Sequence, residues 1–224
     1  MSDAKLLQLQ FVLFFKTIEN RPDKLINKVD TALVDIFDQM PNITNLPPDA
    51  PLEIPRVTMQ SSDGLYACNI GKNRIDLFGY YQNSGSTIGA NLEVFVNKMF
   101  LLAEEIFNDK EIIRYGLVGQ YFIEQANAIN KIATKYMKLD TEDVEEVNIR
   151  FNRNILSSQL KMNDIVEISR GSVMYAGVQK GDGIFITRDL NNKPVDALNF
   201  ETLKKVVELN KSKFMLSGIQ ELID

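Results

Sequence analysis

The chain has 224 residues, 45% hydrophobic and 25% charged, with 30 acidic against 25 basic side chains and a formal net charge of −5. That balance suits a globular protein with apolar side chain for one large core or two small ones, and it excludes a chain disordered throughout. Histidine and tryptophan are absent, so every mechanism that needs an imidazole is excluded: the Ser-His-Asp triad, the Cys-His pair, HExxH zinc hydrolysis and histidine ligation of iron or copper.

The totals show no basic excess, so nucleic-acid binding by phosphate neutralisation is not expected. The single cysteine, Cys68, permits no intrachain disulfide, which points to a reducing, cytoplasmic setting. The apolar stretch 6–15 is broken by Gln8 and Gln10 and lacks a basic leader and a cleavage site. It reads as a poor signal peptide and is too short to span a bilayer.

In chain order, residues 6–15 alternate, with Leu7, Leu9, Phe11, Leu13 and Phe15 on one side and Gln8, Gln10 and Lys16 on the other, which predicts a strand. Asn20-Arg21-Pro22-Asp23 reads as a helix start. Leu25, Ile26, Val29, Leu33, Ile36, Phe37 and Met40 then recur at helical spacing until Pro41. Residues 41–55 hold Pro41, Pro47, Pro48, Pro51 and Pro55 and read as a long surface connection.

A meander follows over 57–60, 65–70 and 74–81. Its turns are Ser62-Asp63-Gly64 and Gly71-Lys72-Asn73, the second with Gly and Asn supplying positive φ. A helix near Asn91 carries the stripe Leu92, Phe95, Val96, Met99, Leu102, Ala103 and Ile106. The second half repeats this order. It has a strand over 112–122, a helix over 127–138, an alternating run over 144–154 and strands at 165–170 and 173–178. A turn at Gly181-Asp182-Gly183, a strand at 184–188 and a last helix from near Asn199 complete it.

This order predicts an α+β fold of two similar units, 1–110 and 111–224, arisen by internal duplication. Each is expected to be an antiparallel sheet of about four strands with two helices on one face, the two packed edge to edge or face to face as one globule.

No motif reaches a catalytic signature, and no catalytic, metal or cofactor-binding residue is assigned. Gly71-Lys72 lacks the rest of a phosphate loop. The acidic run 141–146 lacks calcium-loop spacing. The loop 85–91 places Ser86, Thr87, Gly89 and Asn91 just before a helix, where they either cap it or hold an anion. Tyr80, Tyr81, Arg150 and Arg153 are candidate interaction residues. Tyrosines combine apolar area with a polar tip, and the two arginines flank Phe151 on an extended run. Successive strand side chains alternate, so Arg150 and Phe151 are expected on opposite faces. Cys68 reads as a small core residue.

Arg114-Tyr115-Gly116-Leu117, followed by the pair Tyr121-Phe122, resembles a sporadically distributed family of uncharacterised bacterial proteins with two similar α+β halves. Members carry an Arg-x-Gly-Leu run followed by an Arg-Tyr pair, where this chain has Val118-Gly119. The resemblance implies no activity, and its patchy distribution implies a link to mobile elements or phage defence.

These observations lead to the expectation of a non-enzymatic interaction protein, accessory or regulatory, that engages a protein partner or itself. The alternatives are a histidine-independent enzyme or small-ligand binder using loop 85–91, and a nucleic-acid-binding protein.

Overall fold

The computed structural model describes residues 4–137, 141–175 and 178–224, with side chains described outside 173–180. The opening alternation builds β1 (Ala4–Phe15). A register shift between Leu6 and Gln8 changes its phase, so Ala4, Leu6, Leu9, Phe11, Leu13 and Phe15 reach the core and Leu7 does not. After a 3-10 turn at Pro22–Leu25 comes α1 (Ile26–Ala32), shorter than its apolar spacing predicts. The chain leaves the helix at Leu33, Asp35 takes a positive φ of 60°, and Met40 lies exposed.

The proline-rich connection contributes only β2 (Asn42–Ile43) to the sheet. The meander forms β3 (Val57–Gln60), β4 (Tyr66–Ile70) and β5 (Arg74–Tyr80). Gly64 does supply a positive φ, 69°. Gly71 is needed for a different reason: a Cβ there would lie 2.9 Å from the Leu52 carbonyl oxygen of the proline-rich segment.

The long amphipathic helix α2 (Ile88–Phe107) buries its whole predicted stripe. Then come β6 (Ile112–Glu124), α3 (Ala128–Tyr136) and β7 (Asn148–Ser157). The strands expected at 165–170 and 173–178 are replaced by β8 (Leu160–Tyr175) and β9 (Val178–Asn192). Gly181-Asp182-Gly183 makes no turn: it runs within β9, where Gly183 faces Gly171 of β8. A Cβ on Gly171 would strike the Phe185 ring at 2.5 Å, so this glycine makes room for an aromatic. Three short elements close the chain: α4 (Phe200–Asn210), a 3-10 turn at Lys211–Phe214 and α5 (Leu216–Gln220).

The expectation of two four-strand units, each with its own pair of helices, is corrected by the sheet. The nine strands among the described residues form one antiparallel sheet in the order β2-β3-β4-β5-β1-β6-β9-β8-β7. The break near Asn108 is only the connection between α2 and β6. From there β6 returns to pair with β1 from Ala4↔Ile123 to Phe15↔Ile112. Pairing β1 and β6 satisfies two rows of backbone groups that separate sheets would leave at an edge.

The helices and one face of all the longer strands share a single apolar cluster, from Met59 and Leu77 through Leu9 and Tyr121 to Val166 and Ile168. At its centre Leu9 is flanked by Gly79 on one side and Gly119 on the other. The Tyr81 ring lies over the first glycine and the Tyr121 ring over the second, each with its hydroxyl oxygen 2.6 Å from where a Cβ would be. Glycine thus gives each aromatic two residues later a flat bed on the same face. Among the described residues, no helix is long and apolar enough to cross a membrane.

Candidate functional site

The other face of the sheet is covered by no helix among the described residues. Its inward-pointing counterparts fill the apolar cluster, whereas Val12, Ala67 and Phe122, which point outward, stand outside that cluster. Register places Phe78, Gln10, Val118, Asp189, Ile165 and Asn152 in one row across β5, β1, β6, β9, β8 and β7. Asp76, Val12, Gly116, Asn191, Asn163 and Asn154 form the next row.

Amides stitch these rows together. Asn191 Oδ1 accepts from Arg114 Nη2 and from Asn163 Nδ2, both at 3.0 Å. Asn191 Nδ2 donates to Asp189 Oδ1 at 2.9 Å, and Asn152 Nδ2 donates to Asn163 Oδ1 at 3.2 Å. The chain of bonds crosses four strands. On the far side Gln10 Nε2 donates to Asp76 Oδ1 at 2.8 Å, and Asp76 also pairs with Arg74. The Phe14 ring lies between two guanidinium groups, Arg74 at 5.1 Å and Arg114 at 5.2 Å from its centre. Burial pushes the Asp189 carboxyl above its usual range, against the Asn191 hydrogen bond and the charges of Arg114 and Arg150, which act the other way.

The face carries charges of both signs, with Lys5 and Lys161 on it across from Phe122 and Leu156. Arg74, Arg114 and Arg150 are matched by Asp76, Asp189 and Glu167, and Arg150 sits directly across from Glu167. Two aromatic pairs complete it: Phe78 stacks with Tyr80 at 6.2 Å, and Phe122 packs with Phe185 at 5.0 Å.

The structure separates the residues singled out from sequence. Tyr80 and Arg150 both lie on the open face, in a row that runs Tyr80, Gln8, Gln120, Thr187, Glu167, Arg150, with four strands between them. Tyr81 is buried on the helix side. Arg153 shares the helix-side surface of β7 with Phe151 and lies over its ring at 5.0 Å, while Arg150 points the opposite way. The Tyr175 side chain lies outside the described residues.

Loop 85–91 lines a cleft of about 640 Å³ together with Lys5, Tyr81 and Leu216. Thr87 caps α2, its Oγ1 accepting from the Ala90 N–H at 3.2 Å. Asn91 Nδ2 donates to Ser84 Oγ at 3.2 Å, the Ser86 N–H donates to the same oxygen, and Gly89 lies beside Met215. Cys68 is fully buried, and burial pushes its thiol far up. Among the described residues no three of His, Cys, Asp and Glu are grouped to hold a metal ion.

The amide ladder was missed by sequence reasoning, which treats asparagine as a turn former. The available signal is its position: Asn152, Asn154, Asn163 and Asn191 all fall within strands, where asparagine is depleted. No family model matches the chain, and neither does any curated protein sequence.

Proposed function

We propose that this is a non-enzymatic interaction protein whose uncovered sheet face receives another protein. The observation that carries this reading is the union of an open face with a hydrogen-bonded Arg-Asn-Asp network and two aromatic pairs. Arginine and aromatics are the residues enriched where proteins meet. Eight strands at about 4.8 Å spacing give a platform on the order of 35 Å wide. Its area exceeds the roughly 800 Å² per partner of a standard interface.

Charge placement argues for a polypeptide over a nucleic acid. Each arginine of the face has a carboxylate neighbour, and the lysines Lys5 and Lys161 stand at opposite ends of the strands, which leaves no continuous stripe of positive charge to displace counterions from a phosphate backbone. An accessory or regulatory role follows from binding without chemistry, since the chain offers no imidazole and its cysteine is buried.

The test is capture of a defined partner from native-host extract, repeated with two double variants. Val118→Arg with Thr187→Arg crowds the middle of the open face, whereas Val94→Asp with Leu101→Asp alters exposed positions on α2. Circular dichroism and melting temperature check that both remain folded. The reading expects the partner to be lost only with the sheet-face variant. Retention by that variant, or equal loss with both, overturns it.

A further inference from the structure

The sheet ends differently on its two sides. One edge is β2, two residues long and next to Pro41. The other is β7, ten residues from Asn148 to Ser157, whose outer side receives no backbone hydrogen bond among the described residues. An edge of that length is a template for another strand, and natural sheets normally blunt it.

Phase on β7 can be read from its inner ladder. The Arg170 N–H donates to the Val147 carbonyl at 3.1 Å, in line with the register Asn148↔Ser169 that continues to Ser157↔Leu160. Residues of odd number therefore direct their backbone groups to β8, and Asn148, Arg150, Asn152, Asn154 and Leu156 direct theirs outward. The outward set carries its side chains on the open face. Ile149, Phe151, Arg153 and Ile155 carry theirs on the helix side.

We propose that β7 pairs antiparallel with β7 of a second copy of this chain, across a two-fold axis at Asn152. Such an axis stands perpendicular to the sheet, so each residue must oppose one on the same face. Registers centred on Arg150 or on Arg153 set like charges directly opposite, which is destabilising. The register centred on Asn152 opposes Ile149 with Ile155, Phe151 with Arg153, Arg150 with Asn154 and Asn148 with Leu156. It joins nine residues of each strand, with no cation facing a cation. Apolar meets apolar on the helix side, guanidinium meets ring, and the exposed Leu156 is covered.

Further terms agree. The outward groups supply about ten backbone hydrogen bonds across the junction. The acidic run before β7 comes beside the partner's β7–β8 turn, next to which Lys161 stands. The opposite edge is too short to continue the assembly, so association stops at two. The dimer joins both open faces on one side of a single continuous sheet. The edge lies in the plane of the sheet and is separate from the face, so this inference does not rest on the partner-binding reading.

Size-exclusion chromatography with light scattering on the full chain tests it across the micromolar range. The expected result is twice the chain mass for wild type and the single-chain mass for Asn152→Pro. That substitution removes an outward N–H while leaving the β8 ladder intact. Asn152→Cys is expected to form a disulfide-linked dimer on oxidation, since its partner thiol is its own copy and Cys68 is buried. Asn148→Cys is expected to remain unlinked, and a mixture of Asn148→Cys with Leu156→Cys chains to cross-link. A wild-type monomer throughout, a dimer that survives Asn152→Pro, or linkage through Asn148→Cys alone overturns the proposal. A wild-type strand that pairs only with a different protein overturns it as well.

Discussion

Arg188 lies against Asp164 on the buried side of the sheet, its Nε and Nη2 donating to the two carboxylate oxygens at 3.0 and 2.9 Å. Lys213 Nζ bonds the same carboxylate at 2.9 Å, and Arg188 Nη1 donates to the carbonyl of Lys213 at 3.1 Å. The pair therefore ties the C-terminal turns to β8 and β9. Asp164→Ala leaves the buried Arg188 and the half-buried Lys213 without their carboxylate and is expected to cost about 3–5 kcal/mol, measured by urea unfolding. Asp164→Leu combined with Arg188→Met is expected to recover much of that loss, because the fully buried pair is removed whole and the remaining cation, Lys213, is half-buried and reaches water.

Acid should unfold the protein partly through the same carboxylate. Burial raises Asp164, and the bonds and charges of Arg188 and Lys213 outweigh it, so its folded value lies below the ordinary one. A depressed carboxyl stabilises the fold above its unfolded pKa, about 3.9, and that contribution is lost as pH falls through the folded value. Melting temperatures of wild type should fall in this acidic window. Asp164→Asn should be less stable at neutral pH and show a flatter acid limb.

Asp189 carries the opposite sign. Its folded pKa is raised, so its contribution is fully present below about pH 3.9 and is lost as pH rises through the folded value. Asp189→Asn keeps an acceptor for Asn191 and is expected to melt higher than wild type at neutral pH. The gap should close in strong acid, as followed by thermal melts across a pH series.

The glycine bed beneath Tyr121 admits a test of packing. Gly119→Ala places a methyl where the ring sits and is expected to destabilise by about 1–3 kcal/mol. Tyr121→Phe keeps the ring and loses only the hydroxyl bond to the Phe214 carbonyl, 2.9 Å long. It should cost about 1–2 kcal/mol. Chemical denaturation of the two variants checks both magnitudes and their order.

Thr87→Ala removes the cap of α2 and should cost about 1 kcal/mol, while Thr87→Ser should be close to neutral. The measurement is the unfolding midpoint. A loss with both substitutions would show that the methyl group matters more than the hydroxyl.

Periodicity made much of the local structure legible. Alternation marked β1, the 3.6-residue stripe marked α2, and Asn199 marked the start of α4, where its side chain accepts from the Thr202 N–H at 2.7 Å. Local pattern misleads where glycine serves packing: Gly183, which the sequence suggests as part of a turn, makes room for the Phe122 ring inside a long strand, as Gly171 does for Phe185. The single sheet was hidden because β1 and β6 meet across about a hundred residues of chain, and no local pattern encodes which edge a strand will choose. The open-face site was half legible. Tyr80 and Arg150 lie on it, Tyr81 and Arg153 do not, and the one-residue alternation that divides them depends on where each strand's phase is set.

The position of β1 in the middle of the sheet has a consequence for biogenesis. Both neighbours, β5 and β6, are translated well after it, β6 more than a hundred residues later. During synthesis a strand rich in leucine and phenylalanine waits without either ladder, and the centre of the sheet is assembled from its most distant contacts. The nascent chain is thus most exposed to mispairing before residue 124 leaves the ribosome, and holdase chaperones that shield residues 4–15 would act on the step that sets the yield.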